Sequence, residues 1–233
     1  IVRAGAGYDT IDVSEASKKG VFVANCPGKN SIAVAELAWG LILSCDRRIP
    51  NQTIRLREGQ WEKKTFSKTQ GLYGRTLGVI GLGGIGKEVV KRAKAFGMDV
   101  IAWSRSLNQE KANELGIQWA EKVDEIAQVS DVVSIHAAST PDTKHIVNAD
   151  FLDAMKDNAI LINTSRGALI DEEALCKAIE EKNLMVGLDV FENEPSSGSS
   201  EFSPRIASFE NVFGTHHVGA STAQAQSAIA HEA

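Results

Sequence analysis

Thr76-Leu-Gly-Val-Ile-Gly-Leu-Gly-Gly-Ile-Gly86 is the stretch that decides the fold. Residues 77–80 are an apolar run with the length of a buried strand, and residues 85–96 carry the apolar spacing of a crossover helix. Between them sits a glycine loop. In such a passage the first glycine permits the tight turn out of the strand, the second lets backbone approach a pyrophosphate, and the third lets helix and strand pack closely. The helix N-terminus adds unpaired N–H groups and a partial positive charge. Glycine clusters also occur as plain flexible turns, but placement between a strand and a helix selects the dinucleotide reading. The residues assigned to it are Gly81, Gly83, Gly84, Ile85 and Gly86.

Outward from this loop, strand-like and helix-like segments alternate, which implies a doubly wound parallel α/β sheet. Residues 99–103, 131–135, 159–162, 185–190 and 212–213 read as further strands, and residues 21–24 as a short one upstream. Residues 109–115, 149–155 and 171–181 read as helices, the last capped by an acid. Residues 31–43 form a helix that is apolar nearly all round, with Ser31 as its cap, so it is buried or lies at a subunit interface. Residues 47–66 are polar, interrupted by Gly59 and Trp61, and read as an arm. Residues 196–203 are a Ser/Gly-rich linker-like loop, and an Ala/Gln-rich helix begins after Ser221.

A length of 233 residues accommodates one large domain, or one domain with part of a second. The formal charge of −5 and the lack of a basic run argue against nucleic acid as a partner. No apolar stretch has the length to span a bilayer and nothing at the start resembles a signal peptide, so no membrane partner is expected. Cys26, Cys45 and Cys176 are dispersed, odd in number and without metal-ligand spacing, which fits a reducing, cytoplasmic setting and no metal. The chain begins inside an apolar run without a methionine and stops inside a helical pattern at Ala233, so it reads as a piece of a longer polypeptide.

The end of the second strand distinguishes the cofactors, because an acid there bonds the ribose of NAD and an Arg nearby accommodates the 2′-phosphate of NADP. Here Ser104 stands where the acid belongs, Arg105 is beside it, and Asp99 lies at the wrong end of the strand. A solvated surface charge is the plain alternative for Arg105. The missing acid and the added base together tilt an NAD(P) site towards NADP.

Three strand-end segments offer chemistry: Asn163-Thr-Ser-Arg-Gly167, Asp189-Val-Phe-Glu-Asn-Glu-Pro195 and His217-Val-Gly-Ala-Ser-Thr222. Each alone is more often structural than catalytic. The three in this order, with Ala4-Gly-Ala-Gly-Tyr-Asp9, Pro27-Gly-Lys-Asn-Ser31, Ala35-Glu36 and the glycine loop, resemble the D-isomer-specific 2-hydroxyacid dehydrogenase family over essentially the whole chain. The resemblance implies a Rossmann domain and a fragment of a smaller flavodoxin-like substrate domain. Residues 1–28 would be the C-terminal part of the substrate domain and 29–220 the dinucleotide-binding domain, with a dimerisation arm near 47–70. Residues 221–233 would start the return to the substrate domain.

The same resemblance implies the roles. Arg166 clamps the substrate carboxylate, as a bidentate guanidinium suits. His217 takes or returns the hydroxyl proton, and Glu194 bonds the other imidazole nitrogen and fixes the ring. Ala4 and Gly5 join Arg166 and His217 at the substrate. Ala6, Ala137, Thr164, Ser165, Arg166, Asp189, His217, Gly219 and Ala220 join Ser104, Arg105 and the glycine loop at the cofactor, with Asp189, Thr164 and Ser165 on the nicotinamide side. Among the other histidines, His136 ends a strand near the cofactor, whereas His145 and His231 are expected at the surface. His216 replaces a proline usual before the catalytic His, and Ala137-Ala138 replaces a more usual Thr-Pro. The spacing to Gly219-Ala-Ser-Thr222 selects His217 over His216.

Within the family, the Gly-Ala-Ser-Thr segment followed by Ala225-Gln226, with Arg48-Ile-Pro50 and Leu56-Arg-Glu-Gly-Gln-Trp61, looks most like the D-3-phosphoglycerate dehydrogenases of serine synthesis. An NADPH-using glyoxylate or hydroxypyruvate reductase is the alternative and suits Ser104-Arg105 better. A dinucleotide-sensing protein of corepressor type is an alternative of another class; it would not need Arg166, Glu194 and His217. The implied partners are a small 2-hydroxy or 2-oxo acid and further copies of the chain, as a homodimer or higher homo-oligomer.

Overall fold

The computed structural model describes residues 1–8, 10–195 and 198–233. Asp9 of the first family segment and Ser196–Ser197 of the linker-like loop therefore lie outside the described residues. Two short strands, β1 (Val2–Arg3) and β2 (Ala24–Asn25), pair in parallel on either side of helix α1 (Val13–Lys18) in the chain. The strand expected at 21–24 thus begins only at Ala24. Phe22, in the middle of the apolar run, is 91% exposed.

Helices α2 (Ser31–Arg47), α3 (Ile49–Arg57) and α4 (Lys63–Phe66) follow. The cap of α2 is Asn30, not Ser31; Ser31 is already helical and nearly buried. The polar arm is helical as well. Arg48 at φ 51 makes the corner between α2 and α3, and its guanidinium lies over the Phe66 ring of α4.

The main sheet then builds in strict alternation: β3 (Thr76–Ile80), α5 (Gly84–Ala95), β4 (Asp99–Trp103), α6 (Gln109–Glu114), β5 (Gln118–Trp119), α7 (Val123–Val129) and β6 (Val132–Ile135). The second half adds α8 (Ala149–Ala154), β7 (Ile160–Asn163), α9 (Glu172–Lys182), β8 (Met185–Leu188), β9 (Val212–Gly214) and α10 (Ala223–Glu232). The seven strands β3–β9 are all parallel, in the order β5-β4-β3-β6-β7-β8-β9. Strand order reverses at β3, with β4 on one side and β6 on the other. The crevice at the carboxyl ends there is where such sheets take ligands.

Two apolar cores cover the sheet, one under α2 and α5, the other under α7, α8 and α9. Close approach is set by small residues. A Cβ at Gly78 of β3 would stand 2.5 Å from Ile126 of α7, and one at Gly187 of β8 would stand 2.8 Å from Leu41 of α2. Helix α2 is apolar on most of its surface because it packs against β7, β8 and α5, with Ala35, Ala38 and Ile42 fully enclosed and Ile32, Glu36 and Gly40 exposed. Each Ile or Leu enclosed in this way stabilises the fold by roughly 1.5–3 kcal/mol. The two ends of the chain meet beside α2: the Cys26 thiol points at the Ile229 carbonyl, and Lys29 pairs with Glu232 at 2.9 Å.

Candidate active site

Register brings the loops together. Trp103, Ile80, Ile135, Asn163, Leu188 and Gly214 form one row across the six strands β4, β3, β6, β7, β8 and β9. Every sequence-nominated residue from Gly81 to Ala220 leaves the sheet just past this row. Ala4, Gly5 and Ala6 do not; they follow β1 in the small sheet, where Gly5 and Ala6 carbonyls accept from Cys26 N–H and Asn25 Nδ2.

The glycine loop divides into tight and open positions. Gly81 has φ 97, and a Cβ there would lie 2.6 Å from the His136 and Ala137 backbone. A Cβ at Gly86 would lie 2.2 Å from the Gly81 carbonyl, and one at Gly84 would lie 2.6 Å from Ser31 Oγ. Gly83, the cap of α5, has nothing within 4 Å of its Cβ position. The protein itself fills three of the positions and leaves the fourth bare, at the start of a 12-residue helix that directs unpaired N–H groups outward. At the end of β4, Ser104 is half-buried and Arg105 exposed.

In the middle of the row, His136 and Thr164 directly follow β6 and β7. Both are buried, and His136 Nδ1 and Thr164 Oγ1 have no hydrogen-bond partner. Buried polar atoms are ordinarily paired, so two orphans in one crevice fit a polar group of a bound ligand. Burial holds His136 neutral, its pKa pushed down to about 3, and Ser134 Oγ lies 2.8 Å from its Nε2. Ser165 Oγ instead donates to the Ile135 carbonyl at 2.9 Å, a structural bond between β6 and β7. The bare Gly83, the helix start and the two orphaned atoms together fit a dinucleotide laid across the row.

The His217–Glu194 pair stands at the other end. His217 Nδ1 is 2.6 Å from Glu194 Oε1. An ionised carboxylate only accepts, so Nδ1 carries the proton and the neutral ring keeps its lone pair on Nε2. The histidine is held in a left-handed conformation, φ 53, by its N–H donating to the Asp189 carbonyl at 2.8 Å. The Asp189 carboxylate, 1% exposed, accepts from Thr215 Oγ1, Val218 N and Gly219 N at 2.6, 2.9 and 2.9 Å. Sequence reasoning placed Asp189 on the nicotinamide side. In the structure its carboxylate anchors the loop that presents His217, a role no local pattern announces because Thr215 and Gly219 lie about thirty residues away. Arg166 is half-buried; its carbonyl accepts from Asn163 Nδ2 and its Nη1 donates to the Ser165 carbonyl at 2.7 Å.

His145 is not a plain surface residue. It is half-buried, with Nε2 3.0 Å from Glu192 Oε1. Among the described residues no group of His, Cys, Asp or Glu could hold a metal ion, and no helix is long and apolar enough to cross a membrane.

Comparison with known proteins adds the lineage. The family model "D-isomer specific 2-hydroxyacid dehydrogenase, NAD binding domain" matches residues 39–219. The chain is 45% identical over 229 residues to the D-3-phosphoglycerate dehydrogenase of Methanocaldococcus jannaschii, covering 98% of this chain and 43% of that protein. It is 46% identical over 227 residues to the hydroxypyruvate reductase of Thermotoga maritima, covering 97% of this chain and 72% of the relative. The crystal structure of D-lactate dehydrogenase from Aquifex aeolicus, complexed with NAD and lactic acid, superposes with a TM-score of 0.90 at 31% identity, over 100% of this chain and 73% of that one. The chain thus spans less than half the length of the first of these relatives. On the matched residues, the parallel sheet and the strand-end row, this chain belongs to the D-isomer specific 2-hydroxyacid dehydrogenase family.

Proposed function

We propose that the protein moves a hydride between a nicotinamide dinucleotide and carbon 2 of a D-2-hydroxy acid, with D-3-phosphoglycerate as the substrate. The observation that carries this reading is the Glu194–His217 pair at 2.6 Å, joining the loop after β8 to the loop after β9, which a buried carboxylate fixes, beside the segment after β7 that bears Arg166. Arg166 holds the substrate carboxylate, for which its planar fork is suited. His217 Nε2 accepts the hydroxyl proton in oxidation and returns it in reduction, while Glu194 fixes the ring and stabilises it once charged. The nicotinamide, when bound, supplies or takes the hydride. Residues 1–28 and 221–233, which meet at Cys26 and Ile229, belong in this reading to the substrate domain. Exposed Ile54, Leu56 and Trp61 on the α3–α4 arm support assembly into a homodimer or higher homo-oligomer.

The phosphoglycerate assignment is supported by the segments at 48–50, 56–61 and 219–226 and by the similarity to the Methanocaldococcus enzyme. Ser104 and exposed Arg105 favour a second reading, an NADPH-dependent glyoxylate or hydroxypyruvate reductase. Turnover of the full-length protein with 3-phosphoglycerate, hydroxypyruvate and glyoxylate, each with NAD(H) and NADP(H), separates the two. The first reading expects the highest kcat/KM with the phosphorylated acid, the second with an unphosphorylated one. Arg105→Ala should lower the NADP/NAD ratio of kcat/KM about tenfold, the loss of one phosphate contact. An unaltered ratio removes Arg105 from the site.

A further inference from the structure

A second histidine–glutamate pair shares the loop after β8 with the first. His145 Nε2 and Glu192 Oε1 are 3.0 Å apart across 47 residues of chain. The backbone of His145 sits at φ 50, and its N–H donates to the Ala168 carbonyl at 2.9 Å. Two residues on, Val147 N–H donates to Leu169 O and Val147 O accepts from Asp171 N–H. The loop after β6 is thereby sewn to the turn that follows Arg166. The side chain bonds to the loop after β8. Glu192 lies two residues before Glu194, its own N–H donates to Glu172 Oε2, and Phe191 N–H faces Glu194 Oε2 at 3.4 Å. The two segments also touch directly: a Cβ at Gly167 would stand 2.0 Å from the Phe191 carbonyl and 2.4 Å from Glu192 N.

We infer that His145 and Glu192 form a positioning pair, which fixes the turn carrying Arg166 against the turn carrying Glu194 and so sets the spacing between the carboxylate clamp and the proton-transfer pair. The inference rests on the proposed dehydrogenase reading. A pair that is still about a third exposed contributes little to global stability, whereas a displacement near one ångström in a reacting constellation costs about a hundredfold in rate.

The test uses the full-length protein. Glu192→Ala deletes the acceptor, Glu192→Gln keeps one, and His145→Asn tolerates the left-handed backbone but is too short to reach Glu192. Glu192→Ala and His145→Asn should each lower kcat/KM for the 2-oxo acid by about ten- to a hundredfold, with melting temperature and dinucleotide Kd unchanged. The double variant should be no worse than either single one, and Glu192→Gln should recover activity to within a few-fold of wild type. The imidazole ¹⁵N resonances of His217 supply a readout without turnover: they should move in Glu192→Ala and stay in Glu192→Gln. If wild type turns over no 2-oxo acid, the dehydrogenase reading falls and the resonances alone judge the pair. Unchanged kcat/KM with unmoved resonances overturns the inference, as does a loss that follows melting temperature or is not recovered by Glu192→Gln.

Discussion

At the end of β3 the backbone is shaped by side chains that are missing. Gly81, Gly84 and Gly86 stand where a Cβ would strike neighbouring atoms at 2.6 Å or less, and Gly83 stands where it would meet nothing. At the ends of β8 and β9 the backbone is shaped by side chains that bond. The buried Asp189 carboxylate gathers Thr215, Val218 and Gly219, and His217 is turned to φ 53 and paired with Glu194. The first region works by steric permission and the second by satisfied polar contacts. The two should fail differently: added volume damages the first, lost hydrogen bonds the second.

The sharpest way to break the comparison lies within the glycine loop. Gly86→Val must push the Gly81 carbonyl aside, and overpacking of that kind should cost about 3 kcal/mol, or roughly 6–12 °C in melting temperature for a chain of this size. Gly83→Val meets open space, so stability should hold within about 1 kcal/mol, the scale of a helix cap. Dinucleotide affinity should instead weaken tenfold or more, about 1.4 kcal/mol. Calorimetry on both variants checks the pair. Equal losses of stability would show that Gly83 is a structural glycine like its neighbours.

A smaller effect sharpens the boundary between the regions, where His136 follows β6. Its pKa is held down to about 3 by burial, below the ordinary value of 6.5. The unfolded chain therefore binds a proton that the folded one refuses. This stability is fully present above pH ~6.5 and is lost as pH falls towards 3, at up to ~1.4 kcal/mol per unit. Urea unfolding between pH 6 and 4 should show that slope in wild type and a flatter one in His136→Gln. The same slope in both would mean that the ring is charged or hydrated in the fold.

The same contrast explains what the sequence made legible. The glycine loop, β3, α5 and β4 could be read because a strand, a spaced set of glycines and a helix are local patterns, and β4 matches its expected bounds. Arg166, Glu194 and His217 were nominated by resemblance, and the expected Glu194–His217 bond is present. Residues 118–119 and 123–129 are harder to read: a two-residue strand has no alternation, and the apolar side of α7 is only Val123, Ile126 and Ala127, too short a run to stand out. The hub role of Asp189 and the His145–Glu192 pair depend on partners some thirty and 47 residues away, and no spacing within one segment reveals them.

The proposed reaction has His217 moving the proton and the glycine loop, rather than the imidazole, supplying most of the hold on the dinucleotide. Its most direct test is His217→Gln in the full-length protein, with kcat and dinucleotide Kd measured on one preparation. The account predicts kcat lower by about 10³-fold and a Kd within about twofold of wild type, since the glycine loop is untouched. Turnover within tenfold of wild type would contradict it.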